Sequence, residues 1–185
     1  MDAFSYLSVL LSIILGLAIT QLLQGFGQML QGRERVRWHW PSVLWMVSLL
    51  LIYVQSWWAM FGLRDVKVWT FGAFAVVLLQ TILEYLLAAL LMPPAAPEVD
   101  QRAHYFAQRR PFFATLILVL AVSLGKEVLL SGALPLSLNV GFHFGWMALS
   151  ALAMVIRRDW FHRLAAVVAF AGLVAYVVLL FTQLR

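Results

Sequence analysis

Glu84 combines the most chemistry with the most costly position in this sequence. It stands inside an apolar run from Trp69 to Met92, and Gln80 precedes it by one helical turn on the same face. In a helix rising about 1.5 Å per residue, Glu84 lies about 22 Å from the Trp69 end. An acid that deep in hydrocarbon costs about 2.5–3.5 kcal/mol on insertion scales, so it should face protein or water rather than lipid. In such a place a carboxyl either exchanges a proton or is held by hydrogen bonds as a structural acid. Counting along the first apolar run sets Gln21 and Gln24 at a comparable depth, and both are expected to partner it.

Lys126 and Glu127 lie about one turn inside the end of a later apolar run. Adjacent residues diverge around a helix, so each needs its own partner. Asn139, His143 and Gln55 are the candidates. The plainer alternative has Lys126 snorkelling to the headgroups and Glu127 meeting water at a loose helix end. Together these residues predict an inner polar group (Gln21, Gln24, Gln80, Glu84) and an outer one (Gln55, Lys126, Glu127, Asn139, His143), the two ends of one polar pathway.

The first apolar run carries a different pattern. Ser5, Ser8, Ser12, Gly16, Thr20 and Gln24 recur at spacings of three or four, which predicts one helical face. Small residues let helix backbones approach closely, and hydroxyls bond across the contact. The stripe therefore reads as a packing or oligomer face, with a water-lined path as the sharper alternative. Gln28 and Gln31 extend its polarity beyond Gln21 and Gln24.

Other chemistries find less support. A bis-histidine haem needs two histidines at matched depth on facing helices. Of His39, His104, His143 and His162, only His39 with His162 could form such a helix-borne pair, and interfacial histidines among aromatics also serve as belt residues. The chain has no cysteine, which removes disulfides, thiolate metal sites and cysteine nucleophiles. No HExxH, GxSxG, phosphate loop or dinucleotide fingerprint is present, so the expectation is a protein without cofactor, metal or catalytic residues.

These side chains must be positioned by membrane-crossing helices. The 185 residues are 64% hydrophobic and 11% charged, against about 25% charged in a soluble domain. Lipid must cover what so small a protein cannot bury. About 20 helical residues cross a bilayer core, and six runs qualify, at about 4–30, 42–61, 69–92, 112–130, 139–156 and 160–181. The expected fold is all-α, a polytopic transmembrane bundle forming a single integral membrane domain over 1–185. Met1-Asp2 opens without a basic stretch, and the first run is too long for a cleaved leader, so no signal peptide is expected.

Charge sets the expected direction. Arg33, Arg35 and Arg37 follow the first run, Arg102, Arg109 and Arg110 the third, and Arg157, Arg158 and Arg163 the fifth. The opposite side has Arg64, Lys67, Arg185 and the membrane-embedded Lys126. By the positive-inside rule, the odd-to-even connectors are cytoplasmic and both termini lie outside. Trp38, Trp40 and Trp160 at one boundary, with Trp57, Trp58 and Trp69 at the other, match interfacial belts. Charge placed in short breaks between apolar runs is an orientation signal, and no nucleic-acid partner is expected.

The one sizeable connector, Pro93 to Pro111, predicts a short amphipathic helix over 98–110 with Tyr105 and Phe106 turned to lipid. Trp38-His39-Trp40, Trp45-Met46 and Ser48 echo Phe142-His143-Phe144, Trp146-Met147 and Ser150, a weak 3+3 inverted repeat of the type that builds transporters. In general character the chain resembles small bacterial multi-pass proteins, which implies an inner (plasma) membrane location. The leading expectation is a channel- or transporter-like bundle for a proton, ion or small polar solute. Its rival is a non-catalytic membrane subunit or assembly protein that docks through the first-span stripe. Both involve the lipid bilayer, and a homo-oligomer or a membrane protein partner.

Overall fold

Local sequence signals start and stop the helices where the sequence pattern requires. Thr70 Oγ1 accepts from Ala73 N at 3.1 Å, Asp100 Oδ1 from Ala103 N at 2.8 Å and Ser137 Oγ from Val140 N at 3.4 Å, each capping a helix start. Pro41 sits in the first turn of another, where its missing N–H costs nothing. A computed structural model describes residues 3–66, 68–94, 96–132 and 137–180. Its helices are α1 (Ala3–Gln31), α2 (Trp40–Ala59), α3 (Phe71–Leu91), α4 (Gln101–Ser131), α5 (Leu138–Val155) and α6 (Asp159–Leu180). A 3-10 segment, Met60–Asp65, prolongs α2. Gly132 closes α4 at φ 78°, a left-handed conformation that suits glycine.

Each of the six helices is long and apolar enough to cross a membrane, and the chain is a multi-pass membrane protein in contact with lipid. The distribution of side chains agrees. Ile13, Leu17, Val54, Leu118, Val168 and Val178 are exposed, whereas Glu84, Thr81, Gln101, His143 and His162 are buried. A hydrocarbon solvent favours this arrangement, because buried polar groups find partners that lipid cannot supply. The helices neighbour one another in the cyclic order α1, α3, α4, α5, α6, α2, with α2 also touching α3.

Three connectors meet at one end. Val36–Arg37 (β1) pairs in parallel with Val99–Asp100 (β2), tying the α1–α2 connector to the α3–α4 connector. Asp159, at the start of α6, joins them by accepting from Arg102 Nε at 3.2 Å and lying 3.7 Å from His39 Nε2. The nine arginines of the three odd-to-even connectors therefore collect at this basic end. Beside it, Trp45, Phe112, Phe113, Tyr105, Phe106 and His162 form a stack of rings, mostly edge-on, with neighbouring centroids 5.0–6.4 Å apart.

Two expectations need correction. Residues 101–110 are not a separate surface helix; α4 runs unbroken through Pro111. Proline removes one donor from the ladder, and the first turns of α4 have their own reason to stand upright, because Tyr105 is only 3% exposed and packs on the histidines instead of lipid. The inverted repeat also lacks support in the packing. Exchanging the halves would map the α1–α3 contact onto α4–α6, yet among the described residues α4 and α6 do not run along one another. Aromatic-rich helices resemble each other without shared ancestry.

Gly25 of α1 lies against Met92, and a Cβ there would fall 2.5 Å from the sulfur, whereas a Cβ on Gly16 meets open space. Gly25→Leu should thus lower the thermal unfolding midpoint of the detergent-solubilised protein, at an overpacking cost of about 1–3 kcal/mol. Gly16→Leu should stay within about 0.5 kcal/mol of the parent. Equal midpoints for the two variants would contradict this packing of α1.

Candidate functional site

The site grows outward from Glu84, which is 1% exposed. Its position on α3 turns it toward α2, where Ser56 Oγ donates to its Oε1 at 2.8 Å. Gln80, one turn earlier on α3, donates from Nε2 to the same oxygen at 3.4 Å. Tyr53 of α2 is fully buried and donates its hydroxyl to the Glu84 backbone carbonyl at 2.6 Å, pinning the two helices together at this level. Glu84 Oε2 and Gln80 Oε1 are buried and have no hydrogen-bond partner among the described residues.

Opposite, α4, α5 and α6 supply a second network. Tyr176 of α6 donates to Asn139 Oδ1 at 2.9 Å, and Asn139 Nδ2 donates to Glu127 Oε2 at 2.9 Å. His143 Nδ1 lies 2.8 Å from the Asn139 carbonyl and Nε2 lies 3.2 Å from Ser123 Oγ. A carbonyl only accepts, so Nδ1 carries the proton, and Nε2 is then free to accept from the Ser123 hydroxyl. The neutral ring satisfies both bonds.

The two networks face each other across a cavity of about 400 Å³, within the size range of small-molecule sites. Glu84, Gln80, Gln55, Ser56, Lys126, Glu127, Asn139 and His143 all line it. Lys126 feels both Glu84 and Glu127 electrostatically, without a contact ion pair among the described residues. Apolar side chains from α2 to α6 form the remaining wall. The chamber runs from the level of Trp45, Leu87 and Leu116 to the connector after α2, including exposed Gly62. At the Trp45 end it meets the ring stack.

Seven of the nine expected pathway residues thus share one chamber, and the division into inner and outer groups disappears. Glu84 and Gln80 join the group to which Lys126 and Glu127 belong. Gln21 and Gln24 are elsewhere. Gln24 is exposed, Gln21 is half-buried, and α1 contributes nothing to the lining. Gly25 lies against Met92, about two turns along α3 from Glu84. Gln21 and Gln24 therefore stand nearer the basic end than the acid, and α1 turns Leu11, Leu15, Ala18 and Leu22 inward while Glu84 looks toward α2. The stripe does not share one environment. Ser5 and Ser8 are half-buried, whereas Ser12, Gly16 and Thr20 are exposed.

Tyr53, Ser56, Ser123 and Tyr176 were not anticipated. Hydroxyls inside spans are common, and only their proximity in sequence to Gln55 and Lys126 could have marked Ser56 and Ser123.

The haem alternative through His39 and His162 meets closely packed rings. His162 lies 2.9 Å from the Tyr105 hydroxyl through Nδ1 and 2.8 Å from the Ile156 carbonyl through Nε2, so both nitrogens are used. Tyr105 and Phe106 pack against both imidazoles. His39 bonds Ser42 at 2.9 Å through Nδ1. Burial pushes its imidazole below the usual range, partly opposed by Asp159. Comparison with protein families, with curated proteins and with solved structures finds no match to this chain.

Ser56→Ala would leave the Glu84 carboxyl with only the longer Gln80 bond. We expect a stability loss of about 1–3 kcal/mol, as for other stranded buried acceptors. Ser8→Ala serves as control, because its hydroxyl returns to the Ser5 carbonyl of its own helix at 3.2 Å. Thermal unfolding of both variants checks this; equal, negligible shifts would contradict the Ser56 assignment.

Proposed function

We propose that this bundle passes a proton, an ion or a small polar solute across its membrane by way of the chamber between α2 and α6. The observation that carries the reading is Glu84, fully enclosed, with its side chain on the chamber lining and one carboxyl oxygen unpartnered among the described residues. A scaffold has no use for an acid kept at that cost. Glu84 acts as the exchanging group in this reading, Ser56 and Gln80 hold it, and Lys126 is the internal cation that a passing charge displaces. The ring stack beside Trp45 closes the chamber toward the basic end and has to rearrange for passage. Following the positive-inside rule, the basic end lies in the cytoplasm and both termini outside, in a bacterial inner membrane.

A second reading has its own observation. Ser12, Gly16, Thr20 and Gln24 lie exposed on α1, where polar groups against lipid are unfavourable. A second copy or another membrane protein covering them would make the chain a non-catalytic subunit. On that reading Gly16→Leu disrupts the association and Glu84→Gln leaves it intact.

Purified protein in liposomes should conduct protons or common cations faster than empty vesicles, and Glu84→Gln should bring the rate to background. If wild type and Glu84→Gln both match empty vesicles, the transport reading fails for those solutes, and co-purification of a partner sensitive to Gly16→Leu would favour the subunit.

A further inference from the structure

The geometry points to the chamber as a binding site for a primary ammonium ion carried on an apolar body. The inference rests on the chamber reading above and assigns it a ligand class. Among the described residues, the charged side chains on the lining are Glu84, Glu127 and Lys126. With all three ionised, the described lining carries two negative charges against one positive charge, a balance that favours one further cation. His143 adds no charge as the neutral ring that satisfies both its bonds.

The hydrogen-bond inventory narrows the class. Glu84 Oε2 and Gln80 Oε1 are buried acceptors without a donor among the described residues, and they belong to side chains bonded to one another. Leaving such acceptors unpaired is costly. A ligand that settles here must therefore donate, and donate twice. A primary ammonium carries three N–H donors, whereas a quaternary ammonium has none. A bare metal ion is poorly matched. Hard cations take about six or more oxygen ligands, and the described residues hold no group of three or more His, Asp or Glu suited to a metal.

The rest of the chamber suits the body of such a ligand. Val77, Leu116, Val119, Leu120 and Leu173 line it from α3, α4 and α6. At the far wall Trp146 and Tyr176 meet edge to face, with centroids 5.2 Å apart, and offer π surface to a cation during entry. Volume near 400 Å³ is far more than an ion or hydronium fills, and accommodates a chain of several carbons.

Calorimetry on the protein in lipid nanodiscs, with empty nanodiscs subtracted, tests this using three probes of one chain length: hexylammonium, hexyltrimethylammonium and 1-hexanol. Hexylammonium should bind. The other two should bind at least about tenfold more weakly, the fold-change that one charge-assisted hydrogen bond carries. Glu84→Gln should weaken hexylammonium by a similar factor. Lys126→Met, which removes the competing cation, should tighten it, and this opposite sign keeps the test decisive if Glu84→Gln fails to fold. Equal binding of amine and alcohol, unchanged affinity in a folded Glu84→Gln, or no binding of hexylammonium would each overturn the inference. Flux measured on the same preparation separates the two claims. Proton flux without amine binding defeats the ligand and spares the transport reading; amine binding without any flux does the reverse.

Discussion

Hydrocarbon does not solvate a carboxyl, and the organisation of this bundle around Glu84 follows from that. A charge at the centre of a membrane is tolerated only where protein or water surrounds it. The chain meets this requirement by facing α3 toward α2 at that level, so that Ser56 and Gln80 donate to the carboxyl and Tyr53 locks the backbone. The remaining helices close around the space in front of it. Because α1 packs behind α3 and stays out of the lining, it can turn its polar stripe outward without disturbing the chamber.

The basic end solves a different problem. Nine arginines of like charge repel one another unless acids and packing hold their connectors. Asp159 gathers Arg102 and Arg163, at 3.2 and 2.7 Å, and approaches His39. The short parallel strand pair sets Arg37 near Asp100. Arg109 is buried, with a guanidinium bond to the Met154 carbonyl at 3.3 Å. Exposed pairs of this sort contribute little individually. The buried ring stack around Tyr105 and His162 supplies the apolar burial that fixes this end. It also separates the chamber from the arginines.

Much of this was legible in the sequence because hydrophobic length and charge placement act locally. The six spans follow from the thickness of a bilayer, and the arginine-rich connectors identify one end. Glu84, Lys126 and Glu127 stood out through their cost in lipid. The direction in which helices turn was not legible. Counting residues sets Gln21 and Gln24 level with Glu84, but the contact of α1 with α3, including the close approach of Gly25 to Met92, holds them nearer the basic end and turned away from the acid. Pro111 suggested a break that tertiary packing of Tyr105 and Phe106 overrode. Ser56 and Tyr176 acquire significance only once α2 and α6 face the acid.

Accessibility along α3 tests most directly whether Glu84 faces the chamber within the bundle instead of lipid. The chain has no cysteine of its own, so single cysteines report without background. Placed at Gln80 and Glu84 they should react with a small water-soluble thiol reagent, while cysteines at Leu79 and Ile82, on the exposed face of α3, should stay protected within the bilayer. Reaction at Leu79 and Ile82 with protection at Gln80 and Glu84 would place the acid against lipid and contradict the account.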